Sequence, residues 1–192
     1  MTTLPSHLPE HGLHTARLQL QPADVQHTAG LQRYYVENRA HLQPWEPLRS
    51  EAFFETSAIA GRLRSMAQHN ASGTALFLLI SRNGSDEIIG DCNFTNIVRG
   101  PFQACHLGFS IARSAEGQGL MREALTWALD HVFRHLKLHR VMANYRPDNT
   151  RSARLLERAG FQHEGLARSY LKINGAWADH VLTSLLNPEE QP

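Results

Sequence analysis

The chain has 192 residues, 42% of them hydrophobic and 19% charged, with a formal net charge of +1 and twelve histidines. That length supports one domain with a substantial core, and the composition is that of an ordinary globular protein. No apolar run approaches the ~20 residues of a membrane span. The near-neutral charge gives no general footprint for DNA or RNA. The opening residues lack the basic-then-apolar order of an export signal, so a cytoplasmic protein is expected.

Residues 1–12 read as a flexible polar leader, 13–187 as a single domain and 188–192 as a tail. "HTARLQLQP" alternates Ala16, Leu18 and Leu20 against polar neighbours and predicts the first strand. Pro22 and Asp24 open a helical stretch to about Asn38, which "HLQPWEPLRS" breaks into an irregular loop around Trp45 and Glu46. A second helix is predicted over Glu51–Asn70, with Phe54, Ala58, Ile59, Leu63 and Met66 near helical spacing.

Thr74 to Val98 reads as a hairpin turning at "NGSD", and "QACHLGFSIA" follows as a third strand with Gly108 inside it. Glycine in a strand marks a bulge or a close backbone approach. Next comes "SAEGQGLMREAL", two glycines around one glutamine, running into a helix whose apolar face is Leu120, Ala124, Leu125, Ala128, Leu129, Val132, Phe133 and Leu136. "HRVMANYR" is a strand, and "PDNTRSARLLERAGF" is a helix with a cap-like Asp148 or Asn149 and a closing Gly160. The two last strands meet at "INGA", where Asn174-Gly175 suits a primed turn. The order is strand, two helices, three strands, helix, strand, helix, two strands, a mixed α/β sheet and not a doubly wound parallel one. Cys92 and Cys105 suit a reducing compartment, as buried small hydrophobes or free thiols.

Gly117 and Gly119 admit few phosphate motifs. A P-loop needs Lys and then Ser or Thr where Leu120 and Met121 stand, and the dinucleotide fingerprint needs a glycine where Arg122 stands. Two readings remain: a plain strand-to-helix turn in which glycine permits positive φ, and a turn whose free amides bind an anion such as a pyrophosphate.

The Gly108 strand, this turn, its helix, the next strand and "NTRSARLLERAGF" together resemble the GCN5-related N-acetyltransferases (GNAT). "YYVENRAHLQPWEP", "EIIGDCNFTNIVRGPFQACHLGFSI", "GQGLMREAL", "HRVMANYRPDN" and "INGAWADHVLTSLL" extend the likeness to the RimJ branch of the RimJ/RimL family over roughly residues 15–186. The resemblance implies a mixed, mostly antiparallel sheet flanked by helices, acetyl-CoA as donor, no metal, and direct acetyl transfer to the N-terminal residue of a small-subunit ribosomal protein, free or in a pre-ribosomal particle. Monomer and homodimer both stay open.

It also implies site residues. Backbone groups of Leu107, Gly108, Phe109, Ser110 and Ile111 would pair with the pantetheine arm, and the amides of Gly117, Gln118, Gly119, Leu120, Met121 and Arg122 would hold the pyrophosphate. Asn149 and Ser152 match the branch's Asn-x-x-Ser pattern, Asn149 for the pantetheine and Ser152 for the departing thiolate, although either also suits a helix cap. Glu116 departs from the superfamily pattern of Gln or Arg at its position, and its carboxylate is expected to point to solvent. Arg151, Arg154 and Arg158 either approach the 3′-phosphate or form a solvated helix face.

An α-amino group titrates near ~7.8 and lysine near ~10.4, so an N-terminal acceptor saves roughly 3.5 kcal/mol in reaching the neutral amine. A modest base or a water relay suffices. Glu46 is the first choice, Glu37 the second and His106 the third. Tyr34, Tyr35, Trp45, Tyr145 and Trp177 either wall an acceptor groove or fill the core. His131, His135 and His139 invite a metal, but "HVFRH" lacks the Glu of a zinc-protease helix and exposed histidines explain the spacing.

Overall fold

The structure is a computed structural model and describes residues 12–190. The expected leader, Gly12 apart, and the last two residues of the expected tail lie outside those residues. Among the described residues the strands form one sheet in the order β1-β2-β3-β4-β5-β6-β8-β7, with β1 Leu13–His14, β2 Leu18–Pro22, β3 Leu76–Arg82, β4 Ile88–Val98, β5 Ala104–Ile111, β6 Arg140–Tyr145, β7 Gln162–Ile173 and β8 Ala176–Leu186. Every neighbouring pair is antiparallel except β5 and β6. The helices are α1 Thr28–Glu37, the single turn α2 Arg39–Leu42, α3 Thr56–Ser72, α4 Leu120–Arg134 and α5 Thr150–Arg158. None is long and apolar enough to cross a membrane.

Alternation along β4 assigns the two faces of the sheet. The Cys92 thiol meets the Met121 sulfur of α4 at 3.8 Å, whereas its neighbour Asp91 pairs in register with Ser110, whose hydroxyl meets Tyr34 of α1 at 2.8 Å. Helix α4 thus covers one face and α1 the other. On α4, Leu120, Ala124, Leu125, Ala128, Leu129, Val132 and Phe133 are all buried, as their spacing predicts. Cys92 and Cys105 are free, buried thiols in that core.

The first strand differs from its prediction. Ala16 is exposed, because Thr15 N–H donates to Leu18 O at 2.8 Å and folds "TARL" into a turn between β1 and β2. Glu123 of α4 pins that turn, accepting from Thr15 Oγ1 at 2.5 Å and from Arg17 Nε at 2.7 Å. The first predicted helix is likewise segmented: a 3₁₀ turn at Val25–His27, capped by Asp24, leads into α1. At the other end Asn174 and Gly175 have φ of 45° and 85°, and Ile173 pairs with Ala176, which is the primed two-residue turn that their sequence demands.

Candidate active site

β5 and β6 pair only over Ala104–His106 against Arg140–Met142, although β5 runs on to Ile111 and β6 to Tyr145. The two strands therefore part and leave a wedge. On the β4 side Ala112 N–H donates to Ile89 O at 2.7 Å. By the alternation of an antiparallel ladder, Phe109 and Ile111 then turn their backbone groups toward the wedge. His41 of α2 takes the Ile111 carbonyl with Nε2 at 3.2 Å, and buried Asn38 accepts from Arg113 N–H at 3.0 Å, so the end of α1 and the turn after it fix the end of β5.

The wedge opens into a cleft of about 310 Å³. Of the residues singled out from sequence, Glu46, Phe109, Ser110, Ile111, Met121, Asn149 and Ser152 line it. Leu107 is buried and Gly108 exposed, neither in the lining, and a Cβ on Gly108 would meet nothing within 4 Å, so no packing of the protein itself requires glycine there.

At one end stands the glycine turn. Gly117 and Gly119 have φ of 72° and 74°, a conformation that L side chains avoid. Gly119 is the N-cap of α4, and the first i→i−4 bond there is Glu123 N–H to Gly119 O at 3.1 Å. The amides of the preceding first turn point outward with the positive end of the helix dipole. Two cations brace the turn: Arg17 donates to Gln118 O at 3.0 Å and Arg82 to Gln118 Oε1 at 2.8 Å. Neither arginine carries a motif, and both lie far away in sequence, Arg17 in the turn between β1 and β2 and Arg82 at the end of β3. This end suits an anion.

Glu116 does not point to solvent as expected. Its carboxylate lines the cleft, pairs with Arg151 of α5 at 2.5 Å and lies 3.6 Å from His41 Nε2. Two basic groups across the cleft draw it inward, and Arg151 is thereby engaged rather than merely solvated. Asn149 caps α5, accepting from Ser152 N–H at 3.1 Å, while still facing the cleft.

At the other end is Glu46, whose carboxylate is 3.4 Å from Arg49 Nη2 and whose backbone carbonyl accepts from Asn174 N–H at 2.9 Å. Trp45 lines the cleft beside it, and Trp177 is exposed. Tyr34 is instead a core residue that offers its hydroxyl to Ser110. Behind Ser110 lies Asp91, a buried carboxylate that sequence reading missed. Desolvation raises its pKa to about 7, aided by the negative charge of Glu46, against hydrogen bonds from Ser110 and Asn93. A carboxylate inside "IIGDCNF", an otherwise buried strand, was the available signal.

Glu37 is exposed at the end of α1, and half-buried His106 lies outside the cleft lining, its pKa lowered by burial. His131 is buried with its ring stacked on His135, centroids 4.9 Å apart, and desolvation lowers its pKa to about 4. Among the described residues no group of three His, Cys, Asp or Glu is placed to hold a metal.

A parting strand pair, bared amides at a helix start and a polar cleft beside them are features suited to a group-transfer enzyme. The acetyltransferase (GNAT) domain model matches residues 17–162, and the chain belongs to that family of acetyltransferases. It is 44% identical over 187 residues to the [ribosomal protein uS5]-alanine N-acetyltransferase of Escherichia coli K12, covering 97% of this chain and 96% of that protein. The crystal structure of ribosomal-protein-S5-alanine acetyltransferase from Vibrio fischeri superposes with a TM-score of 0.88 at 37% identity, covering 94% of this chain and 98% of that one. Mycobacterium smegmatis RimJ in complex with CoA-disulfide gives 0.85 at 30% identity, over 91% and 84%.

Proposed function

We propose that this acetyltransferase uses acetyl-CoA to acetylate the α-amino group of the N-terminal alanine of ribosomal protein uS5, in the cytoplasm, by direct transfer with both substrates held in the cleft. The observation that carries the reading is the end-to-end 44% identity to the uS5-alanine enzyme.

The residues of the cleft suit the donor. Outward amides from Gly117 to Arg122, backed by Arg17 and Arg82, hold the pyrophosphate, and the backbone groups of Phe109 and Ile111, not those of Gly108 and Ser110, which face β4, take the pantetheine amides along the free strand edge. Asn149 and Ser152 at the head of α5 face the thioester, where Ser152 donates a proton toward the departing sulfur. Glu46 meets the acceptor's ammonium from the opposite side, in a loop braced by the C-terminal hairpin. An α-amine needs only modest base strength, and the cleft has that scale of machinery.

The test is acetylation of a peptide carrying the uS5 N-terminal sequence, followed by mass spectrometry beside its N-blocked form and a lysine-containing control. The free alanine terminus is expected to gain one acetyl group while the blocked peptide gains none. Modification of the blocked peptide at lysine would overturn the reading.

A further inference from the structure

We propose that Ser110 is the side chain the acceptor amine touches, and that Asp91, a positioning residue behind it, takes the proton the amine must lose. The inference rests on the acetyl-transfer reading of the cleft and adds to it the route of that proton.

Asp91 is only 6% exposed in the middle of the sheet, a costly place for a carboxylate. Ser110 is its direct partner across the β4–β5 ladder, so the two side chains share a face, and the polar groups that lower its pKa against burial, Ser110 and Asn93, are neutral. The Ser110 hydroxyl is also 2.8 Å from Tyr34 Oη. If Tyr34 donates to Ser110 Oγ, the Ser110 proton is directed at Asp91, and one Ser110 lone pair stays open toward the cleft that Ser110 lines. The chain Tyr34–Ser110–Asp91 thus runs from the acceptor end of the cleft into the sheet.

The remaining groups around Asp91 divide the labour. Tyr34 and Tyr35 face it from α1, both pushed up by burial, and Glu46 faces it from the loop, with Arg49 and Arg62 beyond. Glu46 has Arg49 as a partner and lies in the cleft lining, where its charge attracts an ammonium. Asp91, titrating at about 7, is matched to within about one unit of an α-amine near ~7.8.

The step balances. The ammonium passes one proton to Ser110 Oγ as Ser110 passes its own to the Asp91 carboxylate, leaving a neutral amine and a carboxylic acid. The amine nitrogen then forms its bond to the acetyl carbon as the carbon–sulfur bond breaks, its second proton leaves with the thiol, and Asp91 returns the first to water.

Steady-state kinetics with acetyl-CoA and an alanine-initiated peptide, both saturating, test this across pH about 5.5 to 9. Wild-type kcat is expected to fall on the acid side with an inflection near 7. Asp91→Asn should lower kcat at neutral pH by about 100-fold and abolish that limb, leaving acetyl-CoA KM unchanged. Ser110→Ala should do the same with Asp91 in place, and it carries the test should Asp91→Asn not fold. Folded variants that keep both kcat and the acid limb would reduce Asp91 to a buried structural carboxylate and overturn the proposal, with the acetyl-transfer reading intact. A wild-type protein that acetylates no α-amine removes that reading, and this proposal falls with it.

Discussion

Glu116 stands where a negative charge is least expected, on the turn proposed to seat the pyrophosphate, and there it pairs with Arg151. Binding a pyrophosphate must displace the carboxylate or overcome its repulsion. Arg151 is 76% exposed at its side chain, so the pair itself is worth no more than about 1 kcal/mol. Glu116→Gln is therefore expected to lower the acetyl-CoA KM by up to about fivefold. The gain should shrink as salt screens the charges, which calorimetric titration at two ionic strengths would show. An increase in KM would mean that the carboxylate assists the donor. Asp91 invites a second residue-scale experiment. Its carboxyl rises from 3.8 to about 7 on folding, so the folded state is not penalised below about pH 4 and loses stability as pH climbs through 7. Asp91→Asn should match the wild-type unfolding free energy, and with it the Tm, near pH 4 and exceed it near pH 8, by at most about 4 kcal/mol at ~1.4 kcal/mol per unit. Equal Tm differences at both pH values would refute the burial of a titrating group. A variant both more stable and slower is the pattern expected of a strained functional residue.

Elements were legible where local signals agree. The amphipathic stripe of α4, the Asn174-Gly175 turn and the antiparallel hairpins all follow from spacing and turn chemistry. What sequence could not supply were partners distant along the chain. The turn at Thr15–Leu18 exists because Glu123 pins it from 108 positions away, and alternation alone took those residues for one strand. Arg17 and Arg82 join the glycine turn for the same reason, and the inward swing of Glu116 depends on His41 and Arg151, neither adjacent in sequence. The glycine turn itself is compatible with both of its readings. Positive φ is needed at Gly117 and Gly119, and the same geometry bares the amides. Gly119→Ala isolates the backbone effect, since a Cβ there would come no closer than 3.7 Å to Arg17. It should cost roughly 1–2 kcal/mol of stability, measured by urea unfolding, and raise the acetyl-CoA KM as the turn relaxes. An unchanged KM in the destabilised variant would separate the turn from donor binding.

At the scale of the whole molecule, the cleft gathers the α2 loop, the end of β5 and the head of α5, and its acceptor side depends on the last hairpin. Asn174 N–H holds Glu46 O at 2.9 Å, Gln43 Nε2 reaches Asn174 Oδ1 at 3.1 Å, and a Cβ on Gly175 would lie 3.7 Å from Leu48. A turn near the C-terminus thus fixes the height of a carboxylate on an N-terminal loop. The proposed donor side, β5, the glycine turn and α4, has no part in that clamp. Gly175→Val should expose the division. Gly175 has φ of +85°, where a β-branched side chain is strained, so the turn must reshape and loosen its hold on Glu46. Misplacing a group at a reacting centre by about 1 Å costs up to about 100-fold. Peptide turnover is accordingly expected to drop about tenfold or more while calorimetric acetyl-CoA affinity stays at the wild-type value. If instead donor affinity falls and turnover per bound donor persists, the hairpin supports the wrong half of the site, and Glu46 is not the carboxylate that meets the amine.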